Sequence, residues 1–211
     1  LRAQKHKALR RRKRRVMSSE NIVLVGFMGV GKSVVAGRLG AKLGRKVVDT
    51  DEAIGLRRGL SIAEIFARFG EAEFRKMERE YALELAKQKN LVIATGGGFY
   101  AALKSQKSNS VCANEGVQLG RVVWLRASFE EILSHLCEAD GSFGNASRAF
   151  EEASFLQSPA VQKRPLFKDI DSARRLFNAR QEGYKAVCNF AVDVGGKNAN
   201  EVASLIISLL K

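Results

Sequence analysis

Short apolar runs rich in β-branched residues alternate along the chain with longer stretches whose apolar residues recur every three or four positions. The short runs predict buried β-strands, and the longer stretches predict amphipathic helices. We predict five strands, at residues 22–25, 46–48, 91–94, 121–125 and 188–194. Because a helical segment separates each strand from the next, we expect a parallel sheet with helices on both faces, which is a three-layer α/β/α fold.

The helix boundaries carry their own signals. Two capping-box pairs, Ser61 with Glu64 and Ser128 with Glu131, mark helix starts. The last helix is predicted over about 201–210, with one apolar stripe along it. That stripe consists of Val202, Leu205, Ile206 and Leu209. Residues 138–163 interrupt the rhythm as a long insertion, and an insertion of that length in a compact domain is usually functional or disordered.

The composition is that of an ordinary soluble domain. The chain has 211 residues, of which 45% are hydrophobic and 27% charged, and we expect a single domain over residues 18–211. No apolar stretch approaches the roughly 20 residues that span a bilayer, so no membrane partner is expected. The three cysteines lack metal-ligand spacing, which argues against a disulfide framework and against a zinc site. They are Cys112, Cys137 and Cys188.

Most of the net charge of +14 lies in one tail. Residues 1–17 carry nine basic groups and no acid, which leaves +5 (14 − 9) for the remaining chain. This segment is predicted to be disordered. It is interpreted as a nucleic-acid-binding arm, a transit-peptide remnant, or translation from upstream of Met17. The last is favoured because the segment lacks the serines of a typical transit peptide. We therefore expect a cytoplasmic protein, or a plastid one if the tail is a transit remnant, with any nucleic-acid contact confined to the tail.

A glycine-rich loop, GFMGVGKS at residues 26–33, follows the first predicted strand and opens a helix. Its glycines allow the backbone to wrap around phosphate oxygens, with N–H groups and the positive end of the helix directed inward. Lys32 can reach the β- and γ-phosphates, and Ser33 can ligate Mg²⁺. A simple glycine turn would not require a strand before it and an amphipathic helix after it. The loop therefore predicts binding of a nucleoside triphosphate.

Polar residues and glycines also follow the second and third predicted strands. Asp49-Thr50-Asp51 comes after one strand, and Thr95-Gly96-Gly97-Gly98 comes after the other. Ligands of open α/β sheets lie outside the carboxyl ends of the strands, so these segments are the candidate site. One aspartate can hold Mg²⁺ through water, while the other orients a hydroxyl for attack on the γ-phosphate. A helix cap is an alternative role for Asp51, but a cap at Asp51 would not explain Asp49.

Three successive glycines are costly as structure alone, since each glycine in a packed element costs roughly 1 kcal/mol relative to alanine. We expect a small polar ligand to approach this backbone closely, and a plain turn is the alternative. Arg75 lies among acidic residues on a predicted helix, where a surface ion pair is the default interpretation. The local sequence around Arg180 is equally compatible with a surface position.

Together, the motifs resemble those of the shikimate kinases. They occur in the same order and at similar spacing, and related small kinases share the P-loop without the rest of the set. The resemblance is nearly continuous from Asn21 to Gly98 and looser towards the C-terminus. The motifs are GFMGVGKS, DTD followed by EAI, SIAEIF, GEAEFRKME, ATGGG, KRPL and R-x-x-x-Y.

The resemblance implies a P-loop kinase fold with strand order 2-3-1-4-5 and a lid. It also implies ATP-dependent phosphorylation of the 3-hydroxyl of shikimate, in the route to chorismate and the aromatic amino acids. Mg²⁺ would be held by Ser33 and by water on Asp49, while Asp51 would bind the ring hydroxyls and act as the general base. The residues that would hold the ATP phosphates are Gly29, Val30, Gly31, Lys32, Ser33 and Val34.

The same resemblance assigns the substrate contacts. Arg75 and Arg180 would clamp the shikimate carboxylate, a bidentate task suited to guanidinium groups. Lys32 and the lid residue Arg164 would neutralise charge on the transferred phosphoryl group, with Arg164 also contacting ATP. The further expected substrate-binding residues are Gly96, Gly97, Gly98, Phe66 and Phe74.

The chain departs from the family pattern at two places. The lid segment before Arg164 is longer than usual, and the position where an arginine often stacks on adenine falls near His135 or Leu136. ATP and shikimate are the expected partners of a monomeric protein. Two alternatives remain: another small kinase such as a gluconate kinase, and an inactive shikimate-kinase-like protein that binds nucleic acid through its tail.

Overall fold

A computed structural model describes residues 19–103, 116–139 and 169–210, excluding the side chains of residues 137–139. The basic tail, Arg164 and nearly all of the predicted insertion lie outside the described residues. The first two residues of that insertion do not belong to a loop, because the preceding helix continues through Ala139. Because Arg164 lies outside the described residues, its role is interpreted from the sequence.

Helices and strands alternate in the described ranges as the hydrophobic pattern predicts. The strands are β1 (Ile22–Val25), β2 (Lys46–Asp49), β3 (Leu91–Ala94), β4 (Arg121–Arg126) and β5 (Phe190–Asp193). The helices are α1 (Lys32–Leu43), α2 (Thr50–Arg58), α3 (Ile62–Ala86), α4 (Phe129–Ala139), α5 (Ile170–Val187) and α6 (Ala199–Leu209). A short 3-10 helix covers Phe99–Ala102.

The strands form one parallel sheet in the order β2-β3-β1-β4-β5. In the central strand, Val23 is in register with Ile93 on one side and with Val122 on the other. All four residues of β1 and all four of β3 are buried, as expected for strands covered by helices on both faces. The predicted three-layer fold and strand order are confirmed. No helix in these ranges is long and apolar enough to cross a membrane.

The structure corrects several element boundaries. β2 and β4 each extend one residue beyond the prediction, whereas β5 is shorter because Cys188 belongs to the end of α5. Cys188 is half-buried, and its thiol contacts the carbonyl oxygen of Lys185 at 3.8 Å. Both predicted capping boxes are present, with Ser61 and Ser128 accepting hydrogen bonds from the N–H groups of their partner glutamates.

The last helix begins earlier than predicted, because Asn198 caps it and forms a capping box with Glu201. Its buried residues are Val202, Ala203 and Ile206, on the helix that packs against α1. The predicted stripe was partly wrong: Leu205 and Leu209 are 41% and 53% exposed.

Asn21 joins three segments at the amino edge of the sheet. Its side-chain amide donates to the carbonyl oxygens of Gln88 and Leu119, at 2.9 and 3.0 Å, and its Oδ1 accepts from the N–H of Leu91 at 2.9 Å. Asn21 is 1% exposed, so these groups would have little water to replace a lost partner. The side chain therefore satisfies the backbone where β1, β3 and β4 begin.

We predict that Asn21→Ala lowers the free energy of unfolding by about 2–4 kcal/mol, because it leaves buried N–H and C=O groups without partners. Denaturant titration of the purified protein measures the change. Asn200→Ala is the matched control, since Asn200 is exposed on α6 and its replacement should change stability by less than about 0.5 kcal/mol. If both variants lost the same free energy of unfolding, the role of Asn21 in satisfying the backbone at the strand starts would be contradicted.

Candidate functional site

The P-loop connects β1 to α1 and requires glycine at defined positions. A Cβ on Gly26, whose φ is +148°, would lie 2.6 Å from the carbonyl oxygen of Leu125 in β4. Gly29 has φ +85°, and a Cβ there would lie 3.0 Å from side-chain atoms of Ile132 and Leu136 in α4. The loop is thus shaped by close approach to β4 and α4, and alanine would be strained at both positions.

Lys32 is the first residue of α1 and is 9% exposed. Its ammonium group donates to the carbonyl oxygens of Gly26 and Phe27, at 2.8 and 2.9 Å. These two bonds hold the positive charge inside the curve of the P-loop, where the phosphates of a nucleotide are expected to bind.

Ser33 and Asp49 bring two oxygen ligands together. The hydroxyl of Ser33 donates to Oδ2 of Asp49 at 2.7 Å. Hydroxyl and carboxylate oxygens suit Mg²⁺, which usually retains waters and substrate phosphates as its other ligands. Within the described ranges, no group of three or more His, Cys, Asp or Glu residues is arranged to hold a metal. The Ser33 hydroxyl and one Asp49 oxygen fit an ion that takes its remaining ligands from phosphates and water.

Asp49 also caps α2, so the cap considered as an alternative role for Asp51 belongs to Asp49 instead. Its Oδ1 accepts from the N–H groups of Asp51 and Glu52, at 3.1 and 3.3 Å. β2 delivers Asp49 to the start of the helix in extended conformation, so its carboxylate can reach back to those N–H groups. One carboxylate oxygen is used for the cap, and the other faces Ser33.

Asp51 is the second residue of α2 and faces the first glycine of the triple-glycine segment. Its Oδ1 is buried without a hydrogen-bond partner, which marks it as available to a ligand hydroxyl. Burial and the nearby Asp49 carboxylate raise the pKa of Asp51 to about 6, against the opposing effect of Lys32, Arg75 and Arg180. A carboxyl group with a pKa near neutrality is suited to exchange a proton with substrate.

The three glycines after β3 accommodate three protein side chains. A Cβ on Gly96 would overlap the Asp51 carboxylate, and one on Gly98 would overlap the Arg75 guanidinium. A Cβ on Gly97 would lie 3.0 Å from Nη1 of Arg180. The predicted close approach to this backbone is therefore present, and the groups that approach it are the side chains of Asp51, Arg75 and Arg180. The segment brings together three of the residues selected from the sequence.

Arg75 is not a simple surface residue. Its Nη1 donates to Glu78 at 2.6 Å, and its Nη2 donates to Glu71 at 2.7 Å. The Glu78 side chain is 1% exposed, whereas that of Glu71 is 63% exposed. Glu78 thus holds one edge of the guanidinium from inside the protein. Glu78 was missed in the sequence, because an Arg–Glu pair three residues apart on a helix is typical of a solvated face.

Arg180 lies on α5 and is buried, with 6% of its surface exposed. Its guanidinium carbon lies 6.0 Å from the ring centroid of Phe27 in the P-loop. No carboxylate lies within salt-bridge distance of it among the described residues. A buried guanidinium without a bound carboxylate is a candidate receptor for an anionic ligand group.

Phe66 and Phe74, the two aromatic residues expected to bind substrate, contact one another beside Arg75. The ring centroids of Phe66 and Phe74 are 4.8 Å apart, on either side of a kink in α3 at Gly70. The Arg75 guanidinium lies 5.6 Å from the centroid of Phe74.

A cavity of about 450 Å³ extends from the P-loop towards the start of α6. It is lined on the phosphate side by the predicted P-loop residues, including Val34, and by Asp49, Asp51 and Gly97. Its far end is lined by His135, Leu136, Val194, Lys197, Ala199 and Val202. Arg75, Arg180, Phe66 and Phe74 do not line this cavity and lie beyond the triple-glycine segment. The candidate site therefore consists of a cavity beside the P-loop and a second region, past the triple-glycine segment, that contains two guanidinium groups.

The family model described as shikimate kinase matches residues 28–211. The chain belongs to the shikimate kinase family. This family phosphorylates an alcohol group with ATP, and the match decides against the gluconate kinase alternative.

Relatives with this name match over nearly the whole chain. A shikimate kinase from Helicobacter hepaticus is 38% identical over 192 residues, covering 90% of this chain and 96% of the relative. A solved shikimate kinase from Aquifex aeolicus is 32% identical with a TM-score of 0.61, covering 90% of this chain and 95% of that one. The solved shikimate kinase from Acinetobacter baumannii, in complex with shikimate, is 26% identical with a TM-score of 0.66, and the coverages are 94% and 96%.

Two further residues position the triple glycine of the kinase and were not assigned from sequence. The Thr50 hydroxyl accepts from the N–H of Gly96 at 2.9 Å, and the Tyr184 hydroxyl donates to the carbonyl of Gly97 at 2.6 Å. Thr50 lies inside the DTD motif and Tyr184 ends the R-x-x-x-Y motif. The motifs therefore include both residues, but the sequence does not show which backbone group each hydroxyl contacts, because that depends on the fold.

Glu78 should make the stability of the kinase depend on pH. Burial and the Asp51 charge raise the pKa of Glu78 from 4.5 to about 7, although Arg75 opposes the rise. A raised folded-state pKa gives stability that is complete below pH 4.5 and is lost as the pH rises through 7. We predict that the unfolding free energy of wild type minus that of Glu78→Gln falls by up to about 3 kcal/mol between pH 4.5 and pH 8.

Chemical denaturation of both proteins at several pH values measures this difference. Glu71→Gln is the control, because the Glu71 side chain bonds the same guanidinium from a solvent-exposed position. A difference for Glu78→Gln that does not vary with pH would show that its carboxylate titrates as it does in the unfolded chain.

Proposed function

We propose that the kinase transfers the γ-phosphoryl group of ATP to the 3-hydroxyl of shikimate at the carboxyl edge of the sheet. The phosphates of ATP lie on the P-loop, and shikimate lies beside the triple-glycine segment. The observation that carries this proposal is the convergence of Asp51, Arg180 and Arg75 on three consecutive glycines. Around one backbone segment, that arrangement supplies a carboxylate that can bind the hydroxyl groups of a ligand. It also supplies two guanidinium groups that can bind the carboxylate of the same ligand.

Asp51 binds the ring hydroxyls and accepts the proton of the attacking hydroxyl. Its unpartnered buried oxygen and its pKa of about 6 support this role. Phosphoryl transfer has a loose transition state with little need for a strong base, so orientation of the hydroxyl is the larger part of the contribution. Burial strengthens that orientation, because water does not compete for the carboxylate.

Arg75 and Arg180 bind the carboxylate of shikimate. Guanidinium groups present paired donors that match the two oxygens of a carboxylate. Arg180 supplies a buried positive charge without a salt bridge in the described residues, and Arg75 is oriented by Glu78. Phe66 and Phe74 form the apolar wall behind Arg75, and Gly96, Gly97 and Gly98 contact the substrate.

Residues 29–34 bind the ATP phosphates, with Lys32 and Arg164 neutralising the charge that develops during transfer. Ser33, and Asp49 through water, hold one Mg²⁺, which neutralises phosphate charge when bound. His135, Leu136, Val194 and Lys197 hold the nucleobase end of ATP, since they line the far end of the phosphate cavity. This places a histidine where the resemblance implies an arginine. The kinase acts as a monomer in the cytoplasm, or in a plastid if residues 1–17 are a transit remnant.

The release of ADP tests the reaction and its site together. Purified kinase with ATP and Mg²⁺ should release ADP on addition of shikimate and not with quinate or gluconate. Asp51→Asn should lower this rate at least about a hundredfold, because the hydroxyl is no longer oriented or deprotonated. Retained nucleotide binding without shikimate-dependent release in the wild type would favour the inactive, shikimate-kinase-like alternative.

Gly98→Ala should raise the KM for shikimate about tenfold or more while the protein stays folded at the assay temperature. The new methyl group meets the movable end of Arg75 and not backbone, so the guanidinium is displaced. Because the displaced Nη1 also donates to the buried Glu78, the unfolding midpoint should fall as well. Steady-state kinetics and thermal unfolding separate the two effects. Gly37→Ala is the matched control, because a Cβ on this exposed residue of α1 meets nothing within 4 Å. An unchanged KM in Gly98→Ala would remove Arg75 from the carboxylate site.

A further inference from the structure

Tyr184 holds the triple-glycine segment, and the proposed function gives it no part in substrate recognition. Its side chain is fully buried, and its hydroxyl donates to the carbonyl oxygen of Gly97 at 2.6 Å. Hydrogen bonds between oxygens are usually slightly longer than this. Burial raises the pKa of the Tyr184 phenol above its ordinary value, so the hydroxyl remains a donor over the working pH range. The bond fixes the middle peptide of the triple-glycine segment.

Arg180 opposes the rise in the pKa of the same phenol through its charge and through hydrogen bonding, so the guanidinium and the phenol lie close together. The two residues are four apart on α5, so they lie on one face of that helix. A phenolic oxygen can accept from a guanidinium while its own proton is donated elsewhere. Nη1 of Arg180 is also 3.0 Å from the position of a Cβ on Gly97. The phenol and the guanidinium therefore converge on the same peptide, that of Gly97.

Packing around Tyr184 restricts the movement of its ring. The ring centroids of Tyr100 and Trp124 lie 5.0 and 6.0 Å from that of Tyr184. One residue before it, a Cβ on Gly183 would overlap the ring of Tyr100. The glycine thus allows α5 to approach the 3-10 helix closely, and this approach brings the phenol within reach of Gly97.

We propose that Tyr184 is a positioning residue that sets the orientation of Arg180 relative to Gly97 for recognition of the shikimate carboxylate. This inference rests on the proposed substrate site. A long, cationic side chain loses conformational freedom when it binds a ligand in one orientation. An acceptor that fixes the guanidinium beforehand removes part of that cost, and the benefit appears as tighter substrate binding.

Tyr184→Phe tests the inference because it removes the hydroxyl and keeps the ring that packs on Tyr100 and Trp124. We expect the KM for shikimate to rise about tenfold, with kcat changed less than threefold and the KM for ATP unchanged. Tyr100→Phe is the matched control: it is the same substitution in the adjacent ring. It should leave both KM values within about twofold of wild type.

A double-mutant cycle with Arg180→Lys identifies the route of the effect. If the phenol acts through the guanidinium, Tyr184→Phe should raise the shikimate KM much less in the Arg180→Lys background than in wild type. If the factors by which the two single substitutions raise the shikimate KM simply multiply in the double variant, the proposal is overturned. The phenol would then support the glycine segment without orienting Arg180. An unchanged shikimate KM in folded Tyr184→Phe would overturn it as well.

A measurement on the unmutated site covers the case in which Tyr184→Phe does not fold. The chain has three tyrosines, which can all be replaced biosynthetically by 3-fluorotyrosine. The ¹⁹F resonance of Tyr184, assigned by elimination with Tyr81→Phe and Tyr100→Phe, should shift when shikimate is added and should not shift with ATP alone. No shift at saturating shikimate would contradict the inference.

Measurements on the wild-type protein separate failure of the proposed function from failure of the role of Tyr184. Failure of wild type to release ADP in response to shikimate would remove the proposed function. Normal saturation of wild type by shikimate, with the same KM in Tyr184→Phe, would remove only the role of Tyr184.

Discussion

Four charged side chains share a region with little access to water, and the site depends on how their charges are balanced. Asp51 and Glu78 have raised pKa values, first because burial disfavours their charged forms. The Asp49 carboxylate adds to the rise at Asp51, and the Asp51 carboxylate adds to the rise at Glu78. Arg75 and Arg180 oppose both shifts. A bound carboxylate would add negative charge next to Arg180. The electrostatic state of the region is therefore set jointly by the protein and by its ligand.

This balance of charges requires the four charged side chains to stay close to one another. The fold brings three of them together around the triple-glycine segment, which has no side chains of its own. Gly96, Gly97 and Gly98 leave space for groups that arrive from α2, α5 and α3. Hydroxyl groups of Thr50 and Tyr184 hold the segment from two directions. A ligand meeting this surface contacts preoriented donors on a fixed backbone, which is the physical basis of tight positioning in phosphoryl transfer.

The sequence was sufficient for the parts of the molecule that depend on local pattern. The bounds of β1 and β3 were predicted correctly because both strands are continuous apolar runs, and the P-loop was recognisable from its glycines and Lys32. Prediction failed where tertiary packing decides. Leu205 and Leu209 are apolar and correctly spaced, but α6 turns Ala203 inward. Similarly, the burial of Glu78 and the function of Asp49 as a helix cap depend on neighbours that are distant in sequence or on backbone geometry. The residue assignments of the lid stay predictions.

Asn21 has a consequence for how this kinase can evolve or be engineered. The residue joins strand starts at the amino edge of the sheet, whereas the phosphate loop and the triple glycine follow strand ends at the opposite edge. Stability and catalysis thus draw on different edges of the same sheet. Trade-offs between the two arise mainly when a substitution touches a strained or flexible active site. The amino edge therefore offers a region in which the protein can be made more robust, compensating for destabilising changes that alter substrate preference at the other edge.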